Sequence, residues 1–483
     1  MRRTTNNVVE TRCTASLLLT VIILVTLFRS GFAQSPNGFD IALDKRVKEA
    51  VTVPCGENGF CLVTDKKNRS IHEMTFVHFD TLMKRQRQET LSLPDDWKFQ
   101  QAFYEDGTLV IHYHTYQKSR PTDASTLLLY RPGSPDRKLD TLTMVGIPTK
   151  EVTTQWHYHQ GNFLFTTLAK HGDRVWFLPA GAERPVVFPF TQDSPGHVLL
   201  TDIDTSQHRA VICFSSGGHT MYFETDFQGK SSFANMINEP ATHAQWIPVG
   251  KNHSVLMLTN HDDDVFYMHP VNILNHKVIP SETVYCADIL VPKTLPAGVK
   301  QKQTVIIVPH SAVNFLPSQF SVDNGKIALA TELYYLEYHN YFNGWYVEPR
   351  FNGYRYERAD VHFFDTNGVF LTNVIFPYDE LSSLHTKLVK KLRICPLENH
   401  NLLLYQQSGL ELTTMLLDSV GKVIDPIRSS ELPLPKVPMK NQKFAVDRFV
   451  QWYGCNEFLL TVFRINSASM RKTGYMARKI SYR

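Results

Sequence analysis

Histidine can both bind a metal and carry a proton near neutral pH. There are 20, all beyond residue 33. His112-Tyr113-His114 and His157-Tyr158-His159 each place two imidazoles on one face of a strand. Four converging imidazoles would suit iron or zinc. One pair falls on an expected second strand and the other on an expected first strand, so the pairs are not equivalent and no metal is assigned. Asp262-Asp263-Asp264 offers hard oxygens for Ca²⁺, but lacks the Gly and distal Glu of an EF-hand loop. It reads as a solvated acidic turn. Glycoside hydrolysis needs two carboxylates at a set separation. Asp202, Asp204 and Asp262 to Asp264 are the candidates, assigned to one face with Lys170 to Asp173 and Ser215 to His219. Ser215-Ser216-Gly217-Gly218-His219 brings a Ser near a His without an acid partner. There is no G-x-S-x-G, no H-E-x-x-H, no P-loop and no G-x-G-x-x-G after a strand. No catalytic residue and no cofactor follow from the sequence.

A binding surface is better supported. Residues 334–356 read YYLEYHNYFNGWYVEPRFNGYRY, in which ten of 23 side chains are aromatic. Asn343-Gly344 and Asn352-Gly353 are hairpin-type turns. Tyr and Trp give large contact area for little lost rotamer freedom, and Arg adds donors. Tyr341, Phe342, Trp345, Tyr346, Arg350, Tyr354, Arg355 and Tyr356 are therefore the candidate contacts for a protein or glycan ligand. The competing reading is that these rings pack the segment onto its own fold.

Six Cys lie beyond the N-terminal leader. An even number in a secreted chain points to disulfides. Cys55 and Cys61 enclose a short loop with two glycines and are the expected bridge; Cys213, Cys286, Cys395 and Cys455 allow three pairings. Asn68 (NRS) and Asn252 (NHS) are glycan acceptor sequons in expected turns.

The elements that must carry these groups are strands. Short runs rich in Val, Phe, Tyr, Leu and Thr recur between Gly, Asn and Asp turns, the hairpin signal. A degenerate unit repeats: a strand, a turn, then a strand of paired aliphatics. Three copies open with Gln-Trp, at Gln155-Trp156, Gln245-Trp246 and Gln451-Trp452; a weaker copy has Gln319-Phe320. The Trp should fill a layer between repeats, and the Gln should satisfy a neighbouring backbone group. Turns fall near residues 59, 107, 161, 208, 252, 325, 399 and 455. Three or four antiparallel strands every 45–55 residues predict a β-propeller of seven or eight blades. The alternative is two packed β-sandwiches. No WD or double-glycine series is present. The spacing stretches around 334–356, which reads as an excursion between the second and third strands of one blade.

At the N-terminus, Arg2, Arg3 and Arg12 precede a 12-residue apolar run, Leu17 to Phe28, and small residues end at Ala33. That is a signal-peptide layout over 1–33; an uncleaved anchor giving a type II membrane protein is the alternative. Without those residues the chain carries 46 basic and 45 acidic groups. Such a balance gives no electrostatic case for nucleic acid. An irregular lead-in is expected over 34–54 and the propeller over 55–483. The function expected is a secreted or lumenal binding propeller. The alternative is a propeller hydrolase or lyase using the carboxylates and histidines of one face.

Overall fold

A computed structural model describes residues 38–481 except 43–46, 68–71, 116–123, 135–137, 147–151, 170–171, 190–195, 231, 261–264, 281–283, 287–313, 343–344, 384–389, 398, 410, 432–442, 447–450, 454–457 and 467–471. The leader, Asn68, Asp262 to Asp264 and Cys455 lie outside the described residues. Among the described residues, no helix is long and apolar enough to cross a membrane.

The described residues form eight antiparallel sheets, nearly all of them four-strand meanders. Two compact units divide the chain. Residues 94–432 hold the second to seventh sheets, which begin at Trp97, Val152, His197, His243, Asn314 and Arg393. Residues 1–93 with 433–483 hold the first sheet, Val47–Pro54 to Arg85–Ser92, and the eighth.

Alternation along each strand sends successive side chains to opposite faces. In the third sheet Phe163, Phe165 and Trp176 pack on the second sheet, while Leu164, Val175 and Phe177 pack on the fourth. The same relation links the fourth to the fifth, the fifth to the sixth and the sixth to the seventh. A middle sheet is thus buried on both faces, and its inner strands read as continuous apolar runs. Consecutive meanders packed face to face in chain order define a β-propeller.

In the eighth sheet, Gly38–Ala42 pairs antiparallel with Lys472–Ser481. The N- and C-terminal strands are therefore hydrogen-bonded neighbours. Residues 34–54, expected as an irregular lead-in, instead supply this strand and Val47–Pro54 of the first sheet. The reason is edge satisfaction: each segment completes a sheet that would otherwise end in unpaired backbone groups.

The turn between first and second strands explains the repeat. Asp106-Gly107, Gln160-Gly161 and Asn324-Gly325 all have positive φ at both positions. That is the type I′ hairpin, whose twist matches its flanking strands. The Gln-Trp pair also has its structural cause. Gln155 sits at a bulge with φ 42°, and its Oε1 accepts the N–H (3.1 Å) and hydroxyl (2.8 Å) of Thr201 in the next sheet. Gln319 does the same across a bulge, bonding both the N–H and the C=O of Ile394 at 3.1 Å. Trp156 stacks on Phe165 at 4.4 Å, and Trp246 stacks on Tyr222 at 5.8 Å.

Candidate functional site

The sixth sheet departs from its neighbours. Its second and third strands, Lys326–Phe342 and Val347–Asp365, have 17 and 19 residues, where most others have seven to nine. The first strand of the sheet reaches Tyr334, and the fourth reaches Gly353. Beyond these, Tyr338–Phe342 and 347–351 continue as a two-stranded ribbon of about 17 Å. No strand among the described residues pairs with its outer edges.

Register gives this arm two unlike faces. Tyr334, Leu336, Tyr338 and Phe342 oppose Tyr356, Tyr354, Phe351 and Val347. Shifts at 333/334 and 337/338 keep these aromatic residues in step across the two strands. Their rings form a ladder: Tyr356 to Tyr334 at 6.0 Å, Tyr334 to Tyr354 at 5.8 Å, Tyr354 to Phe351 at 5.3 Å and Phe351 to Tyr338 at 5.7 Å. The reverse face is polar. Arg355 bonds Glu337 at 3.0 Å and Asp379 at 2.8 Å, and the Arg350 guanidinium lies 3.7 Å from the Tyr341 ring centre. Hydrogen bonds to Asp379 first, then Glu337, raise the pKa of Arg355 and hold its charge.

The root of the arm is buried and hydrogen-bonded. Glu332 is fully buried and accepts the Lys391 N–H (2.7 Å), the Leu392 N–H (3.1 Å) and the Tyr378 hydroxyl (2.8 Å). Burial pushes its carboxyl up against the pull of these donors. Lys391 in turn holds Glu380 at 2.7 Å. Tyr356 is completely buried in this root, so it packs rather than contacts a ligand. Tyr354 is half-buried within the ladder. Of the remaining candidates, Trp345 is 93% exposed, Phe342 64% and Tyr346 60%. Tyr341 and Arg350 lie on the reverse face with Arg355. Tyr338 (53% exposed), Phe351 and Val347 join the aromatic face and were not singled out from the sequence; period-two counting from Phe342 finds Tyr338.

The histidine pairs part company. His112 is buried, meets Ser125 Oγ at 3.1 Å and packs at a tilt against Trp156; burial, then His114, lowers its pKa to about 3. His159 hydrogen-bonds His208 at 2.7 Å and lies 3.3 Å from Asp106. His157 lies 3.4 Å from Glu105, on the sheet before its own. Burial lowers the His157 pKa, but Glu105 and then Asp202 outweigh it, so the net shift is upward. Burial likewise raises the Asp202 carboxyl, despite His157. These groups link adjacent sheets beside the first-to-second strand turns, where Glu105 also accepts the Tyr158 N–H and Asp106 the Gln160 N–H. Among the described residues no three His, Cys, Asp or Glu side chains converge as a metal site needs.

Of the carboxylates expected on one face, Asp202 and Asp204 bond local backbone groups. Asp204 caps the turn after its strand, accepting from the Ser206 N–H and hydroxyl and the Gln207 N–H. Its neighbour Asp202 accepts the Ile203 N–H. Both stand at the end of the strand next to this turn, and Asp262 to Asp264 lie outside the described residues.

Cys55 and Cys61 are present as thiols, with Sγ atoms 3.7 Å apart, well beyond the ~2.05 Å of a disulfide bond. Cys213 and Cys395 are buried thiols on the fourth and seventh sheets, with two sheets between them, which excludes their direct pairing. Asn252 is exposed in its turn, as a glycan acceptor must be.

No family model matches this sequence, and no curated protein sequence matches it. Solved structures of similar architecture exist. Kluyveromyces lactis Hsv2 has 7% identity and TM-score 0.39, over 80% of this chain and 99% of that one. A eukaryotic initiation factor structure has 10% identity and TM-score 0.45, over 93% and 91%. The Pseudomonas aeruginosa periplasmic gluconolactonase PpgL has 10% identity and TM-score 0.39, over 79% and 96%. The β-propeller assignment rests on the sheet order and face-to-face packing of the chain itself.

Proposed function

We propose that this protein is a secreted or lumenal binding propeller that engages a protein partner through the arm of its sixth sheet. One observation carries the reading: a ribbon with a buried, hydrogen-bonded root ends in Phe342, Trp345, Tyr346 and Val347, each more than half exposed. Water-exposed apolar rings on a preordered element are the usual anchors of protein interfaces. Phe342, Val347 and Tyr338 share one strand face, with Asn340 opposite Pro349 between them, and a face of this length favours a protein surface over an isolated sugar platform. The exposed Asn252 sequon and the leader layout support a secretory location.

The test compares residues 34–483 with a variant in which 338–351 is replaced by an Asn-Gly turn. That trim spares Tyr334, Glu337 and the buried Tyr356. Both forms are cross-linked in extracellular fluid, and partners are confirmed with the purified protein. A partner bound by the full arm and lost on trimming supports the reading. Glycan-array binding by the full arm in place of any protein would reassign the ligand, and equal binding by both forms would remove the arm from the site.

A further inference from the structure

A second site lies in the first sheet and does not depend on the arm. Cys55 and Cys61 are both fully buried, and their sulfurs are in van der Waals contact at 3.7 Å. The loop between them is tightly fixed. The Cys55 N–H donates to Gly59 O at 2.7 Å, the Asn58 N–H to Cys55 O at 3.1 Å and the Gly59 N–H to Gly56 O at 3.0 Å. The Asn58 carbonyl also meets His78 Nε2 at 2.6 Å. Cys61 is held in register between Val53 and His78 by the strands on either side. Gly59 has φ 89°, and a Cβ there would lie 2.0 Å from the Phe79 carbonyl oxygen, so this loop has one backbone path.

We propose that Cys55 and Cys61 are a disulfide-forming pair whose bridge is kept in the folded turn, while Cys213 and Cys395 remain thiols. Closing the contact needs the sulfurs to approach by about 1.7 Å. The oxidant is a small disulfide such as oxidised glutathione. One cysteine, as thiolate, attacks it, forming a protein–glutathione mixed disulfide and releasing one glutathione thiolate. The second cysteine loses its proton and attacks the protein sulfur, displacing the second glutathione. Two cysteine thiols become one disulfide, one glutathione disulfide becomes two glutathiones, and the two thiol protons end on those products.

Burial decides when this happens. It pushes the Cys61 thiol well above its usual range, reinforced by the contact with Cys55. The thiolate is the attacking species, so exchange in the folded protein is slow and the bond forms while the turn is still open.

The experiment uses residues 34–483, denatured and fully reduced, then refolded in an excess of oxidised glutathione. Thiols are blocked in denaturant with one reagent, disulfides are then reduced, and the new thiols take a second reagent before peptide mass mapping. The proposal expects the second label on Cys55 and Cys61, the first label on Cys213 and Cys395, and an unreduced 55–61 peptide two hydrogens lighter. Reduced protein already folded should oxidise at least about tenfold more slowly under the same buffer. First label on Cys55 and Cys61 after refolding, or a bridge from either to another cysteine, would overturn it. The readout needs no variant and no binding partner, so it fails or succeeds separately from the arm.

Discussion

Trp345 and Tyr356 lie eleven residues apart in one aromatic run, yet the first is 93% exposed and the second fully buried. Their substitutions should therefore separate. Trp345→Ala or Tyr346→Ala should change unfolding free energy by less than about 0.5 kcal/mol, because each removes surface rather than core. Either should weaken partner binding at least about tenfold, as loss of an interface anchor does. Tyr356→Ala should cost about 3–5 kcal/mol, read by chemical denaturation, since it empties the root of the arm. His157 gives a pH signature. Its folded pKa is raised by Glu105 and Asp202 in spite of burial. A raised histidine pKa stabilises fully below the unfolded value, about 6.5, and the contribution fades as pH rises through the folded value. His157→Gln should thus cost more stability at pH 5.5 than at pH 8.5. Equal cost at both, in paired denaturation curves, would remove the ionic role.

At the scale of elements, bulges and turns position everything else. The bulge before Trp156 turns Gln155 towards Thr201, and the bulge before Gln319 points its amide at Ile394. Gln319→Ala leaves both backbone groups of Ile394 without that partner and should cost about 1–3 kcal/mol. Gly59→Ala should cost about 2–4 kcal/mol, because the added Cβ meets backbone and the left-handed φ is strained. If Gly59→Ala leaves the denaturation midpoint unmoved, the turn has another backbone path and the fixed geometry around Cys55 is lost as an argument.

At the scale of the whole molecule, residues 38–42 pair with residues 474–478 across most of the sequence. Gly38–Ala42 covers one edge of Lys472–Ser481, from Gly38 opposite Arg478 to Ala42 opposite Gly474. Removing residues 34–44 exposes that edge. Hydrogen exchange should speed in 472–481, while Phe458–Asn466, paired on its other side with Lys443–Val446 and Gln451–Tyr453, loses less protection. Uniform protection across both strands would mean that the N-terminal strand contributes little to this sheet.

What the sequence determined by itself is local. Turns near 59, 107, 161, 208, 252 and 325 all fall between the first and second strands of successive sheets. They are legible because Gly and Asn at positive φ, and aliphatics at period two, act through near neighbours in the chain. The aromatic run was legible for the same reason, and so was the short loop that brings Cys55 to Cys61. Tertiary structure decided which distant groups meet. Glu105 reaches Tyr158 across 53 residues, His159 reaches His208 across 49, and Gln319 reaches Ile394 across 75. It also placed residues 38–42 beside residues 474–478 and sorted the arm into an aromatic and a charged face. Composition is blind to these outcomes because a shift of one residue in register moves every side chain to the opposite face. Register here is set by bulges and by packing between sheets, not by the residues next along the chain.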